Sequence, residues 1–447
     1  MPLCPPPRTP LLAKTVTTND LLEKTKLCPS QPREKNYDYQ LHGPITSKAK
    51  MYRERLQFVQ QRLLRSGQFV MRGMGPSKSA GEAHELSTIE SLLGASGVRV
   101  LLGIITQPIE GNWHLEDLGS IIQLDIRQAQ ASSALFTEGS IVILQGELSP
   151  VNSSLFVVYV IGLPPAEARD VTLDAIGIAD PFGNGTRRPQ WMQMKELEAA
   201  AQEVLIVIIS DVTVSSPAVC EQLRKVFEGY EATNCMPLFV LLGPFLGKDF
   251  YSPGGRQSAL AAFGSLADTL THCPRLCEHA KFLLVPGPRD PGAGAALPRR
   301  PLPEYLTSEL NKKVKSLTLA SNPCRVRFYT QEICFFREDL QKKMQRNAIL
   351  PPKVSAEDAP ISEQMVETIL EQAHLFPLPP HVKPVYWELD HALRLTPLPH
   401  LLVLADHTDQ FSWTHKDCNA VNPGSFSSDA SFVVYRPATR TVEMCQL

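Results

Sequence analysis

The chain has 447 residues, of which 43% are hydrophobic and 20% charged, so it can bury the cores of two or three domains. Its 44 lysines and arginines nearly balance its 46 aspartates and glutamates, which excludes a chain-wide attraction to nucleic acid. No apolar stretch reaches the ~20 residues of a membrane span, and no secretory signal is recognisable. Ten scattered cysteines without a C-x2-C pair favour a reducing compartment, cytosol or nucleus, and argue against a zinc ribbon.

Two segments precede the first predicted domain. Residues 1–46 contain the run Pro5-Pro6-Pro7 and no apolar period, so they are predicted to be a disordered leader. Residues 47–95 are predicted to hold a basic helix capped by Ser47, followed by a Gly/Ser-rich linker. One face of this helix is apolar, and the other carries Lys48, Lys50, Arg53, Arg55, Arg62 and Arg65 against one acid, Glu54. The basic face either contacts DNA or is simply solvated, and we favour the solvated face.

Residues 96–165 are predicted to form a small barrel. Five short strands are expected at 98–104, 113–115, 122–126, 141–144 and 155–161, with a helix at 127–136 after the third strand. This is the order of an OB fold, which often binds nucleic acid. The segment carries two arginines against six acidic residues, and its few aromatic residues follow apolar patterns. We therefore expect the isolated barrel to repel phosphates and to have no salt-sensitive DNA affinity tighter than the non-specific range of about 10⁻⁴ to 10⁻⁶ M.

From residue 166 to residue 447, apolar strands alternate with helical patterns, which is typical of an α/β domain. Buried strands are predicted at 204–209, 238–242, 282–285 and 401–404. Helices are predicted at 217–228, 257–271, 304–314, 362–373 and 386–395. In such domains ligands bind where the parallel strands end, so the loops after these strands are the candidate site.

These loops resemble those of calcineurin-like phosphoesterases, with the metal ligands replaced. They lie at 210–213, 242–245, 285–290 and 406–409, and Asn422-Pro423-Gly424-Ser425 follows. Where that family has ligands, this chain has Thr213, Pro244, Pro288, Arg289 and Asp409. Only Asp211 and His407 remain, too few to hold one metal, and Arg289 is expected to put a positive charge at the site. The resemblance implies a phosphoesterase-type α/β fold with lost metal ligands, no catalytic, cofactor-binding or metal residues, and no enzyme activity.

Two other groups of residues could carry chemistry. Displaced ligands of an active phosphoesterase could come from Asp211, Asp290, Asp406, His407, Asp409 and His415. Asp290 starts an Asp-Pro-Gly turn and His407 is flanked by acids, so ordinary loop roles are favoured. A zinc ion could bind His272, Cys273, Cys277 and His279, but Pro274 interrupts this group where a helical pattern ends. Incidental helix-end positions are the favoured interpretation.

Longer motifs resemble those of the B subunits of DNA polymerase epsilon. They lie at residues 102–107, 115–120, 285–292, 321–326, 331–340, 384–387 and 422–426. The resemblance implies a nuclear, non-catalytic accessory subunit in DNA replication, with an OB fold docked on an inactive phosphoesterase-like domain. It implies binding to the C-terminal region of the catalytic subunit and links to the histone-fold subunits and the replicative helicase. It also implies weak or indirect DNA contact, no cofactor and no membrane.

Two points stay open at the level of sequence. The B-subunit family starts with a small helical domain that residues 1–46 do not resemble, so contacts made by that domain are not carried over. The alternative function is a DNA-binding adaptor in replication or repair that is not tied to one polymerase. Interface residues also stay open: Tyr386, Trp387, Arg299 and Arg300 are of the types enriched at interfaces, but they are equally ordinary in cores and loops.

Overall fold

The computed structural model describes residues 15–16, 43–71, 84–177, 188–233, 235–248, 250–291, 296–352 and 358–447. Most of the expected leader and part of the expected linker therefore lie outside the described residues. The α-helices are α1 (Ile45–Arg65), α2 (Arg169–Ile176), α3 (Arg188–Ala200), α4 (Pro217–Glu231), α5 (Gly255–Thr271), α6 (Pro274–His279), α7 (Ser308–Lys313), α8 (Gln341–Arg346), α9 (Ile361–Glu371) and α10 (Phe426–Asp429). Short 3-10 helices lie at Glu90–Leu92, Glu304–Thr307 and Trp387–Leu393.

The strands run from the N-terminal to the C-terminal part of the chain. They are β1 (Thr15–Val16), β2 (Phe69–Met71), β3 (His84–Ser87), β4 (Arg99–Ile109), β5 (Asn112–Glu116), β6 (Ile121–Asp125), β7 (Gln130–Ala131), β8 (Ile141–Leu148), β9 (Leu155–Gly162), β10 (Ile206–Ser210), β11 (Leu238–Leu242), β12 (Lys281–Val285), β13 (Leu317–Leu319), β14 (Cys324–Phe328), β15 (Gln331–Arg337), β16 (Leu401–Ala405), β17 (Phe411–His415), β18 (Cys418–Asn422), β19 (Ser431–Arg436) and β20 (Thr441–Gln446). No helix among the described residues is long and apolar enough to cross a membrane.

The chain divides into two compact units. Among the described residues, the barrel unit comprises 43–71, 84–172, 340–352 and 358–398. The sandwich unit comprises 15–16, 173–177, 188–233, 235–248, 250–291, 296–339 and 399–447. Residues 340–398, which the sequence places in the domain 166–447, thus fall in the same unit as the OB fold.

The barrel unit contains a closed five-stranded barrel. Strand β4 pairs with β5 and β8, β5 pairs with β6, and β9 joins β6 to β8. The pairing of β6 with β9 is parallel and the other four are antiparallel, so the barrel closes in the strand order expected of an OB fold. Alternate residues point inward because successive side chains of a strand face opposite sides. The core includes Leu101, Ile105, Leu115, Leu124, Val142, Leu144, Phe156 and Val158.

The prediction of a helix at 127–136 is wrong. This segment forms turns and the short strand β7, which pairs with β9. Ala134 and Phe136 are buried in the barrel core, and Ala129 and Ala131 pack against it. This near-alternating pattern suits an extended segment that covers the core and does not suit a helix with a period of 3.6 residues.

Helix α1 packs on the barrel of its own unit. Its apolar face places Leu56, Val59 and Leu63 in a cluster with residues of β4 and β8. The helix begins at Ile45, after Pro44, so Ser47 is not its cap. The leader predicted to end at residue 46 therefore ends earlier, and Thr15–Val16 within it forms β1, which pairs with β14.

The sandwich unit has two sheets of six strands among its described residues. The first sheet has the order β13-β12-β11-β10-β19-β20, and the second has the order β1-β14-β15-β16-β18-β17. Residues Ile206 and Ile208 of β10 lie in a cluster shared with the second sheet, while Val207 and Ile209 lie in a cluster with α4 and α5. Because β10 is covered on both faces, its sequence is an unbroken apolar run.

Two of the helices predicted in this region need correction, and one of the predicted strands lies in the second sheet. Strand β16, predicted as a buried strand at 401–404, lies in the second sheet between β15 and β18. The helix predicted at 304–314 is a 3-10 turn followed by α7, and the helix predicted at 386–395 is the 3-10 helix Trp387–Leu393. Apolar periodicity indicates that a segment is regular and buried, but it does not identify the neighbouring strand or the tightness of a short helix.

Candidate functional site

The loops that follow β10, β11, β12 and β16 come together in the sandwich unit. Strands β10, β11 and β12 are parallel neighbours, so their carboxyl ends share one edge of the first sheet. Side chains from the loops after β16 and β18 reach the same place, because His407 and Ser425 both contact Asp211. We call these loops, at residues 210–213, 243–246, 286–291, 405–409 and 422–428, the loop cluster.

Asp211 lies at the centre of the loop cluster. It is 1% exposed and has a left-handed backbone, with φ of 59°, which aspartate tolerates better than most residues. Its Oδ2 accepts hydrogen bonds from Ser425 Oγ at 2.5 Å and Ser427 Oγ at 2.6 Å, and His407 Nδ1 lies 3.1 Å away. Its Oδ1 is buried without a hydrogen-bond donor. The sequence-predicted pair Asp211 and His407 is thus in direct contact.

The Asp290 carboxylate accepts hydrogen bonds from backbone N–H groups, whereas that of Asp211 contacts side chains. Its Oδ1 accepts from the backbone N–H of Phe245 and its Oδ2 from that of Gly287, both at 2.7 Å. Burial raises the pKa of this carboxyl to about 6, although the two N–H groups oppose the shift. The side chain therefore ties the loop after β11 to the loop after β12, which agrees with the loop role favoured from the sequence.

The cation of the loop cluster is Arg337, which sequence reasoning missed. Arg337 is fully buried at the end of β15, and its Nε donates to Gly243 O at 2.8 Å. Its Nη1 donates to Asp339 Oδ1 at 2.7 Å and to Ala405 O at 3.2 Å, while Nη2 lies 4.0 Å from Asp211 Oδ1. Burial opposes this charge, but Asp339, Asp211 and Glu338 outweigh it and raise the pKa of Arg337.

Arg289, which was expected to supply the positive charge of the site, does not have this position. It is exposed at the surface of the loop after β12. A signal for Arg337 was present in the sequence, since it directly follows the apolar run 333–336. A charged residue in that position is buried only when it is paired, so it marks a polar site.

Three other residues of these loops and strands, Asn422, Asp409 and His415, have separate positions. Asn422 is fully buried and organises the loop after β16, because it accepts from the N–H of Asp406 and donates to the carbonyls of Thr408 and Asp409. The side chain of Asp409 is exposed. His415 lies at the opposite end of β17, where it pairs with Cys418. Among the described residues, no group of three or more His, Cys, Asp and Glu side chains could hold a metal ion.

The Cys/His group near residue 275 lies at helix ends. Cys273 precedes α6 and is buried, and Cys277 within α6 donates its thiol to Leu270 O. Burial raises the pKa of Cys273 to about 11 and also raises that of Cys277, so both thiols stay protonated at neutral pH. The four residues therefore occupy the helix-end positions favoured from the sequence.

Half of the basic face of α1 is used inside the barrel unit. Arg55 binds Asp390, Arg62 donates to the carbonyls of Pro164 and Glu371, and Arg65 pairs with Glu167 at 2.8 Å. Burial lowers the pKa of Arg62 to about 10, which still leaves it charged. These three arginines are structural, so they do not form a DNA-binding face.

Two exposed cations of α1, Lys48 and Arg53, border a groove of about 460 Å³. Across the groove lie three acidic residues, Glu116, Asp117 and Glu138. A surface of mixed charge offers phosphates little net attraction.

Two of the candidate interface residues are interior, because Tyr386 is 5% and Arg299 is 6% exposed.

Comparisons with known proteins agree on one family. The model for the B subunit of DNA polymerases alpha and epsilon matches residues 206–413, and the model for the OB-fold domain of DNA polymerase epsilon subunit 2-like proteins matches residues 45–165. The B subunit of DNA polymerase epsilon from Arabidopsis thaliana is 39% identical over 410 residues, covering 91% of this chain and 77% of that protein. DNA polymerase epsilon subunit 2 of Homo sapiens is also 39% identical, over 417 residues and with the same two shares. A solved archaeal phosphodiesterase aligns with 54% of this chain and 99% of its own at 10% identity, but its TM-score of 0.29 supports no argument.

Proposed function

Since the chain belongs to the B-subunit family of DNA polymerase epsilon, we propose that it acts in the polymerase epsilon complex as a nuclear scaffold. In this role it stabilises the catalytic subunit during chromosomal DNA replication and performs no chemistry of its own. The observation that carries the proposal is the match of the two family models to successive parts of this chain.

We also propose that the loop cluster has lost the ligand set of a metal-dependent phosphoesterase. Two-metal hydrolysis needs several carboxylate and imidazole groups around two cations about 4 Å apart. Here Asp290 is occupied by two backbone N–H groups, and the guanidinium of Arg337 lies next to Asp211. The residues present therefore do not fit a two-metal centre, and we derive no catalytic step from them.

The proposed partner is the C-terminal region of the polymerase epsilon catalytic subunit, with further links to the histone-fold subunits and the replicative helicase. DNA contact is proposed to be weak or indirect, because half of the basic face of α1 is paired inside its own unit. No cofactor is proposed.

The first test is co-expression of this chain with the C-terminal region of the catalytic subunit, followed by size-exclusion chromatography with mass detection. We expect a stable one-to-one complex that resists high salt. As a control, the same region of the catalytic subunit is co-expressed in parallel with a partner that is known to bind it. If that control complex forms while this chain and the catalytic-subunit region elute as two separate peaks, the scaffold role is contradicted.

The adaptor alternative and residual activity are tested separately. An adaptor not tied to one polymerase would bind DNA alone at physiological salt, so fluorescence anisotropy with a single-stranded oligonucleotide should detect micromolar or tighter binding. We expect only the non-specific range of about 10⁻⁴ to 10⁻⁶ M, with strong weakening by salt. Manganese-dependent phosphodiesterase turnover that is lost in Asp211→Ala would contradict the non-catalytic assignment.

A further inference from the structure

We infer that the guanidinium of Arg337 is the built-in cation of the loop cluster, a positive charge supplied by the chain where a phosphoesterase would bind a metal ion. This inference rests on the proposed loss of the ligand set. It adds that the site has been replaced by a permanent internal ion pair and that the loops need no metal to hold their conformation.

The hydrogen bonds of Arg337 join loops of both sheets. The guanidinium donates to Gly243 O, after β11 of the first sheet, and to Ala405 O, the last residue of β16 in the second sheet. Ala405 O also accepts from the backbone N–H of Glu338. A buried carbonyl at the end of a strand needs a donor, because burial without one is costly. The planar fork of N–H groups reaches both carbonyls in fixed directions, so one side chain joins the two strand ends.

The position of Arg337 is itself fixed by a buried amide. Asn322 accepts from the backbone N–H of Arg337 at 3.1 Å and donates to its carbonyl at 2.7 Å and to Pro286 O at 2.9 Å. Asn322 therefore links the end of β15 to the loop after β12. An arginine held at both its backbone and its guanidinium is a built part of the site and not a surface side chain folded inward.

Two carboxylates face this cation: Asp339, which accepts from Nη1 at 2.7 Å, and the more deeply buried Asp211. Oδ2 of Asp211 has two hydroxyl donors, but its buried Oδ1 has none, and Arg337 Nη2 lies 4.0 Å from that oxygen. A buried carboxylate oxygen without a donor needs a nearby positive charge. A divalent cation at Asp211 would be repelled by Arg337, so the arginine and a metal exclude each other.

The test is a double-mutant cycle on the full chain, read as melting temperature. Arg337→Met retains much of the apolar side chain and removes its charge, so we expect melting to fall on the order of 10 °C, as for a broken buried ion pair. In the wild-type background, Asp211→Asn should lower melting or leave it unchanged. In the Arg337→Met background, the same change should raise melting, because it removes a carboxylate that has lost its cation. Equal effects of Asp211→Asn in both backgrounds would overturn the inference.

Two controls keep the cycle interpretable. Arg325→Met removes another buried arginine of the same unit, one that pairs with Glu332, so its effect should add to that of Asp211→Asn without coupling. If Arg337→Met does not fold, the soluble yield of Arg337→Met with Asp211→Asn becomes the readout, and no gain over the single variant counts against the inference. Arg337→Lys, which keeps the charge, should respond to Asp211→Asn as the wild type does.

A metal titration separates this inference from the proposed function. Wild-type protein should show no saturable rise in melting temperature with MnCl2 or ZnCl2, because Arg337 holds the cation position. A saturable rise would overturn the built-in cation while leaving the scaffold role intact if the complex with the catalytic subunit still forms. If the complex with the catalytic subunit does not form while the double-mutant cycle still shows coupling between Arg337 and Asp211, the scaffold role is contradicted and the assignment of Arg337 stands.

Discussion

Replacing Gly243 by alanine should strongly destabilise the sandwich unit. Gly243 lies at the end of β11, where the loop after β11 meets the loop after β12. A Cβ on Gly243 would overlap Asp290 Oδ2 and would lie 2.7 Å from the backbone nitrogen of Gly287. The added methyl group therefore has no space without moving a buried carboxylate or parting the two loops.

The expected cost follows from what the methyl group would break. The Asp290 carboxylate accepts two buried N–H groups at 2.7 Å, and hydrogen bonds to charged groups contribute about 1.5–3 kcal/mol each. Displacing the carboxylate thus costs about 3–6 kcal/mol. If the loops part instead, overpacking costs about 1–3 kcal/mol, and Arg337, which donates to Gly243 O, is disturbed as well. We expect a loss of about 3 kcal/mol or more in the free energy of unfolding.

Urea unfolding followed by circular dichroism measures this loss, with Gly264→Ala as the matched control. Gly264 lies inside α5, and a Cβ there would meet nothing within 4 Å. Alanine favours a helix over glycine, so Gly264→Ala should stabilise the protein by up to about 1 kcal/mol. The same chemical change should therefore have opposite signs at the two positions. A Gly243→Ala protein within about 0.5 kcal/mol of wild type would refute the steric reasoning.

Three further predictions concern buried charges. Arg55→Met removes one of the two arginines that pair with Asp390, whose side chain is 2% exposed, while Arg394 stays 3.1 Å from that carboxylate. The change should cost about 1.5–3 kcal/mol in urea unfolding, as for a lost hydrogen bond to a charged group, whereas Arg53→Met at an exposed position should change little. Burial raises the pKa of Asp290 to about 6, so the protonated carboxyl stabilises the fold below about pH 4. This contribution to the free energy of unfolding, roughly 3 kcal/mol, is lost as the pH rises through 6. A difference in the free energy of unfolding between wild type and Asp290→Asn that stays constant from pH 4 to 7 would contradict this. Glu198→Gln places an amide NH2 group against the donors of Thr330 and Gln331, so it should weaken the attachment of α3 and accelerate backbone amide exchange in that helix. Unchanged exchange protection of residues 191–200 would contradict this role of Glu198.

The fold could be predicted where burial alone decides the structure. Strand β11 has the predicted bounds, and β10, β12 and β16 lie within two residues of theirs, because each is an apolar run that ends at a turn. The order of the barrel strands was also predictable. The neighbour of β16 was not, since pairing joins residues far apart in sequence and leaves no local pattern. The helix predicted at 127–136 failed because alanines suit a helix in isolation while the barrel core needed an extended cover.

The site was predictable in its acidic half and not in its basic half. Asp211 and His407 were both predicted to lie in the site because each belongs to a loop that directly follows a buried strand. Strand β16 lies in the second sheet, so it is the packing of the two sheets that brings His407 to Asp211. Arg337 reaches the same point from a strand of the second sheet, and only the packing of the two sheets shows this. Arg289 was chosen because it occupies a ligand position in the loop, but its side chain faces solvent.

The proposed loss of a metal site from the loop cluster is not the same as leaving that site empty. Asp211, Asp290 and Asn422 are all buried, and each buried polar group without a partner costs about 1–3 kcal/mol. Replacing ligands by apolar residues alone would leave the other polar groups of the loops unsatisfied. A fixed guanidinium donates to two carbonyls, faces a carboxylate and carries a charge at every physiological pH. The loops can then keep one conformation without binding any ion, which is what a scaffold needs if its surface is to be the same in every copy.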